Sequence, residues 1–304
     1  MGARAVSPTA LERLALYFAT LRTRPGILGR KILGTPDPAD RGLALELAVR
    51  LTAEIRPDGS VTGGAVPTIW RGHELLDLGV PSYDPAVKRL CAWLFERQGR
   101  PGAYGEGCDK ARHQQRVCEH YVQGFFSPAA PEQRLAPITL PNGKVFRAEP
   151  AARFAISCLG LRLALRAGHG DRPAVAQHLE SLRLLAAHWH TWTGFFAPDV
   201  MVAGLHALAA GGAAYRSTVQ TIVDVVAAHQ DLEGAWPHAD FFATLDALLA
   251  TDAPEARRVA HRAQAALEAR QRADGAFGAT AQQERALIAL RVLRAAEGPH
   301  APSR

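Results

Sequence analysis

The densest group of side chains able to do chemistry lies in one short stretch: Cys108, Asp109, His113, Cys118, Glu119 and His120. Thiolate and imidazole at close range suit zinc or another late transition metal. On a helix, Asp109, His113 and His120 fall within about 40° of one another. His113 and His120 then stand about 10 Å apart along the axis, so one ion reaches both only across a break in the helix. Cys118-x-His120 pairs only at a helix end or in a loop. The spacing matches no standard zinc signature. Two alternatives stand: a transition-metal site on Cys108, His113, Cys118 and His120, or a polar lid carrying two incidental thiols.

A second group combines acids with imidazole. Asp199, His238 and Asp240 stand where helices are expected to begin. Asp at such a position is ordinarily a cap. Facing an apolar cavity, the same carboxyl has its pKa raised and becomes a proton donor. Asp240 with His238 is the expected acid–base pair, and Asp199 is next. Trp70, His73, Phe196, His206, Trp236 and Phe241 form the expected substrate wall, since aromatic faces stabilise cations. Each has a plainer reading as core packing. Cys158 reads as packing too.

The elements that must position these groups repeat. Gln98-x3-Gly102-Ala103-Tyr104, Gln230-x3-Gly234-Ala235-Trp236 and Gln271-x3-Gly275-Ala276-Phe277 are nearly the same phrase. Looser copies occur at His190-x3-Gly194-Phe195-Phe196 and around Arg56-Pro57-Asp58-Gly59-Ser60. A fixed period marks a repeat architecture. The unit is helix, Gly-turn, helix.

Apolar periodicity predicts helices over 9–21, 42–55, 68–78, 85–97, 150–167, 173–189, 198–210, 215–229, 239–250, 254–270 and 281–295. Pro stands at or near several starts and Gly at several ends. No strand alternation is evident. Helices entering a Gly-turn are the more charged, and those leaving it are apolar all round, so two concentric layers are expected. The inner layer is expected to hold six helices: 9–21, 68–78, 150–167, 198–210, 239–250 and 281–295. The segment 105–149 breaks the period. It reads as an insertion over one mouth of the ring, ending in a turn at Pro141-Asn142-Gly143-Lys144. The expected fold is a single all-α domain over 1–304, an α/α toroid of about six hairpins.

The Gln-x3-Gly-Ala-aromatic element resembles the QW motif of squalene–hopene and other triterpene cyclases, and the repeats of protein prenyltransferase β subunits. The resemblance runs from about Gly42 to Ala295, leaving out the insertion. It implies an α/α toroid with a central apolar cavity and an isoprenoid substrate. The Asp-x-Asp-Asp acid of the cyclases is absent here. So are the prenyltransferase zinc set and the Cys-His dipeptide of lanthionine cyclases. The resemblance implies either a divergent member with a different active site or one that has lost the family chemistry. Three readings follow: an enzyme on an isoprenoid or other apolar substrate, a metal-dependent enzyme using the insertion, or a non-catalytic toroid that binds lipid or protein.

Composition sets the frame. The chain has 304 residues, 48% of them apolar, with a net charge of +6. Mean hydropathy is near zero. Only four of the basic residues are Lys, and the Arg residues are scattered rather than massed. With abundant Ala, that usage suggests a GC-rich bacterial genome, and it argues against a nucleic-acid surface. No transmembrane segment and no signal core are seen, so a cytoplasmic location is expected. Four dispersed Cys make no disulfide framework. The expected partners are an apolar small-molecule substrate and, at the level of assembly, a homo-oligomer.

Overall fold

The chain starts its helices with short side chains and proline. Thr9 accepts the Glu12 N–H while the Glu12 carboxylate accepts the Thr9 N–H, a reciprocal cap at the start of α1 (Ala10–Ala19). Thr23 caps α2 (Arg24–Leu33), with Pro25 in its first turn and Gly34 closing it in the left-handed conformation. Asp84 caps α5 (Pro85–Glu96). The computed structural model describes residues 9–97, 134–187, 189, 192 and 198–296. Its other helices are α3 (Asp40–Ala53), α4 (Ala65–Asp77), α6 (Glu149–Arg166), α7 (Pro173–Ala186), α8 (Pro198–Ala210), α9 (Arg216–Ala228), α10 (Phe241–Leu249), α11 (Pro254–Arg262), α12 (Gln264–Ala269) and α13 (Gln282–Ala296). The one strand pair among the described residues is β1 (Ile138–Thr139) against β2 (Val145–Phe146), antiparallel.

The helices form two layers. The inner ring runs α2, α4, α6, α8, α10, α13 and back to α2, each packed on the next. The outer layer is α1, α3, α5, α7, α9 and the α11–α12 pair. Inner helices are buried around much of their girth: α6 buries twelve of its eighteen residues, Phe154, Leu161 and Leu163 among them. A helix with neighbours on both sides needs that pattern. Outer α11 buries only Ala256, Val259 and Ala260.

Three turns join the layers in one geometry. In 56–60, 231–235 and 272–276 the first residue's N–H donates to the carbonyl four residues on, and the Gly N–H donates back to the first residue's carbonyl. Gly59, Gly234 and Gly275 have φ of 84°, 85° and 85°, where L side chains are strained. A Cβ on any of them would strike a carbonyl of the next outer helix: Arg89, Arg262 or Arg13, respectively. Each Gly is fixed by both its φ and its contact. Gln230 and Gln271 tie the turns down. The Gln230 amide donates to the Gly234 and Val259 carbonyls and accepts from Arg262 Nε. The Gln271 amide donates to the Gly275 and Ala10 carbonyls and accepts from Arg13 Nε. Val61, Trp236 and Phe277 follow the turns, all buried. Each Gln thus serves carbonyls of its own turn and of the next outer helix. The copies at Gln98–Tyr104 and His190–Phe196 lie outside the described residues, apart from Trp192.

The 275 turn seats on α1 just as the 234 turn seats on α11. That makes α1 an outer helix, where sequence placed it inside. The inner helix of the first hairpin is α2, which sequence missed. Its glycines blurred the apolar period, and they are there for packing: a Cβ on Gly29 would enter the Phe18 ring, and one on Gly26 would meet Leu21. Among the described residues the inner helices number six, as expected, and the outer ones, with the α11–α12 pair taken as one, also number six. Among the described residues no helix is long and apolar enough to cross a membrane.

Candidate functional site

The β1–β2 hairpin reaches into the middle of the ring. Its stem is tied down where α6 begins: the Glu149 carboxylate accepts the N–H groups of Leu135 and Ala136 and pairs with buried Arg153. Its tip, 140–144, is closed by the Leu140 N–H on the Lys144 carbonyl and the Gly143 N–H on the Leu140 carbonyl. The Asn142 carbonyl accepts from Arg285 Nε of α13. Lys144 pairs with Asp199 at the start of α8 and lies 5.4 Å from the centre of the Phe146 ring. The turn expected at Pro141–Lys144 is this tip. Strands of two residues are too short to register as alternation in the sequence.

Two chambers open beside the tip. One, of ≈430 Å³ with its mouth included, is lined by Phe146, Ala155, Cys158, Val202, Ala203, His206 and Ala243 with the Lys144–Asp199 pair. The other, of ≈620 Å³, is lined by Arg24, Trp70, Asp77, Arg166, Asp246, Glu284, Ile288 and Arg291. Leu140, Asn142, Leu159 and Arg162 belong to both. An apolar cavity was expected, with acids only where helices begin. The walls instead carry charge beyond the helix starts: Arg162, Asp246 and Arg291 lie inside α6, α10 and α13, and Asp77 and Arg166 end α4 and α6.

Most of those charges are matched. Asp77 takes Arg24 at 2.5 Å and Arg166 at 2.6 Å. Arg24 also holds Glu284 and lies 5.1 Å from the Trp70 ring centre. Asp246 faces His206 at 3.7 Å and Arg291 at 3.6 Å. Burial pushes the Glu284 carboxyl above its ordinary range, and Arg24 draws it only partly back. Burial and the arginines around them hold His73 and His206 well below the usual imidazole value. Arg162 stands apart: no described side chain or carbonyl is within hydrogen-bonding reach of its guanidinium. Burial lowers its pKa to about 10, and Asp246 opposes this from a distance.

The sequence candidates fall into three groups. Asp240 caps α10, accepting the Ala243 N–H at 2.9 Å, and its own N–H donates to Asp199 at 2.9 Å. Asp199 thereby ties α8, α10 and the hairpin together. His238 is exposed before α10 with φ 65°, a left-handed conformation that a non-Gly residue seldom adopts. Trp70 and His206 line the chambers. His73 is fully buried, donating through Nε2 to the Leu159 carbonyl at 3.3 Å and accepting from Arg166 at Nδ1. Trp236 is a junction residue whose indole donates to the Val226 carbonyl. Phe241 packs on Trp236 and Phe242 beneath Arg270. Phe196, Cys108, His113, Cys118 and His120 lie outside the described residues. Among the described residues no group of three His, Cys, Asp or Glu could hold a metal ion.

Sequence reasoning missed Arg24, Arg162, Asp246 and Glu284 as wall residues. The available signal was a lone charge inside an apolar inner helix, as in Leu161-Arg162-Leu163.

No protein-family model and no curated protein matches the chain. Solved structures do. A substrate complex of the type II terpene cyclase MstE from Scytonema, with geranylgeranyl dihydroxybenzoate, superposes with a TM-score of 0.57 at 15% identity, over 94% of this chain and 96% of that one. The MstE complex with its product merosterolic acid A gives 0.53 at 16%, over 95% and 86%. The ent-copalyl diphosphate synthase of Streptomyces platensis gives 0.51 at 13%, over 95% and 51%. The fold is the helical toroid of type II terpene cyclases.

Proposed function

We propose that this chain is a terpene cyclase-like enzyme that folds an isoprenoid, or another apolar substrate, into the centre of the ring and starts its cyclisation by protonation. One observation carries the reading: the ring encloses a cavity whose wall holds a carboxyl, Glu284, with its pKa raised by burial. A donor working near neutral pH needs that shift. Glu284 gives its proton to an alkene carbon, and the adjacent carbon becomes a cation. A neighbouring double bond supplies the electrons for the new C–C bond. Loss of a proton to water ends the sequence, and solvent reprotonates Glu284. Trp70 offers a π face to positive charge. The likeness to cyclases that carry isoprenoid ligands supports the choice of substrate class.

The test is incubation with prenyl alcohols, acids and diphosphates in D2O, with products read by mass spectrometry. The expected product is cyclic and carries one deuterium at the protonated carbon. Glu284→Gln is expected to lower turnover by about 10²-fold or more. Cyclic product without deuterium removes protonation as the trigger. Binding without conversion leaves a non-catalytic vessel. The pairing of every wall carboxylate with a cation or imidazole favours that second reading.

A further inference from the structure

The charges around the cavity do not balance. Across both chambers the described wall residues comprise five cations against four carboxylates, and the surplus among them is Arg162. Each of the other cations has a carboxylate partner within 4.0 Å. If Glu284 holds its proton, the surplus grows to two. Isolated buried charge is expensive, and proteins keep it where something arrives to meet it. Arg162 sits in the last third of α6, lining both chambers, between Leu161 and Leu163, which are fully buried. In the smaller chamber it shares the lining with Leu140, Leu159 and Val202, and with Asn142, His206 and the Lys144–Asp199 pair. Burial already lowers its pKa to about 10, so an anion there would meet a poorly solvated donor.

We propose that Arg162 is the seat of the ligand's head group, and that the occupant of the cavity is an apolar chain ending in a single carboxylate. The proposal rests on the isoprenoid reading above only for the identity of the tail. The planar guanidinium matches a carboxylate through two parallel N–H donors. Arg162, the one described wall cation with no carboxylate within 4.0 Å, calls for one negative charge. The apolar tail would lie along the Phe146, Val202 and Ala243 wall or the Trp70 and Ile288 wall.

The test uses four probes on the full chain: farnesoate, farnesol, dodecanoate and dodecanol, titrated at pH 7.5 against tryptophan fluorescence. Farnesoate is expected to bind at least about tenfold more tightly than farnesol. Arg162→Met should erase that gap, and Arg162→Lys should restore part of it. Because the wild-type charge is unmatched, the Tm of Arg162→Met should equal or exceed wild type, which separates loss of the seat from loss of the fold. If dodecanoate exceeds dodecanol through Arg162 and farnesoate does no better than dodecanoate, the anion seat stands and the isoprenoid reading falls. Equal binding of carboxylates and alcohols, a gap that survives Arg162→Met, or no binding by any of the four overturns the seat. A sharp fall in the Tm of Arg162→Met also overturns it, since the guanidinium would then be structural.

Discussion

At the scale of single residues, the centre of the ring is built of neutral imidazoles and charged pairs, and this makes stability depend on pH. His73 and His206 have folded pKa values well below the unfolded one. Below about pH 6.5 the unfolded chain takes up protons at these positions that the folded chain refuses. Their contribution is therefore full above pH 6.5 and is lost as pH falls through that value. Each histidine costs about 1.4 kcal/mol per pH unit in that window. Glu284 and Glu74 act oppositely: their raised pKa values cost stability as pH rises past the ordinary carboxyl range. Comparison with a variant isolates the imidazole. Between pH 7.0 and pH 5.5, wild type should lose about 1.3 kcal/mol more than His206→Asn in chemical denaturation. Parallel losses in the two proteins would show that His206 takes up its proton in the folded state.

At the scale of elements, the caps and turns decide which candidate acids are free. Asp240 is engaged through its side chain at the start of α10 and through its N–H to Asp199. Asn caps a helix about as well as Asp, so Asp240→Asn should leave the Tm close to wild type, and Asp240→Ala should cost about 1 kcal/mol. Turnover by Asp240→Asn decides the rest: a loss of about 10²-fold would make Asp240 the acid, and retained turnover leaves it a cap. The turns make a sharper case. Gly275→Ala would force an L residue to φ 85° and bring its Cβ within 2.5 Å of the Arg13 carbonyl. The expected cost is about 2–4 kcal/mol, above that of φ alone; a loss under 1 kcal/mol would mean that the turn shifts freely.

These same elements explain what could be read from the sequence. The Gln-x3-Gly-Ala-aromatic copies were legible because φ and the carbonyl contact together fix the Gly, and the hydrogen bonds fix the Gln. The outer and inner helices were legible from polar and apolar faces. Helix α2 was not, because Gly26 and Gly29 serve a close packing with α1 and leave gaps in the apolar stripe. The cavity charges were not, because Arg162, Asp246 and Glu284 lie far apart in sequence and meet only when the ring closes. Asp199, His238 and Asp240 stood out by contrast through standing at expected helix starts.

At the scale of the molecule, closure is the feature that distinguishes this architecture from an open stack of hairpins. In an open stack each unit rests on neighbours, the end units rest on one, and unfolding frays from the ends. Here the first hairpin seals the last. Helix α2 packs on α13, Arg24 holds Glu284, Thr23 donates to Gln283, and the 275 turn is bolted to α1 through Gln271. Phe18 is the keystone of that hairpin, fully buried and laid over Gly29. Removing its ring should cost about 3–5 kcal/mol. In a closed ring that loss belongs to the whole molecule. Phe18→Ala should therefore move the entire denaturation curve, with far-ultraviolet circular dichroism and tryptophan fluorescence shifting together. The tryptophans suit the second probe because all five belong to other hairpins: Trp70, Trp93, Trp189, Trp192 and Trp236. An open stack would respond otherwise, losing part of its helix signal early while the tryptophan midpoint stayed at the wild-type value. Two separated transitions in Phe18→Ala would show that the first hairpin folds as an appendage. The cavity at the centre would then be held by the other five hairpins, and the Arg24–Glu284 pair would not be needed to keep it shut.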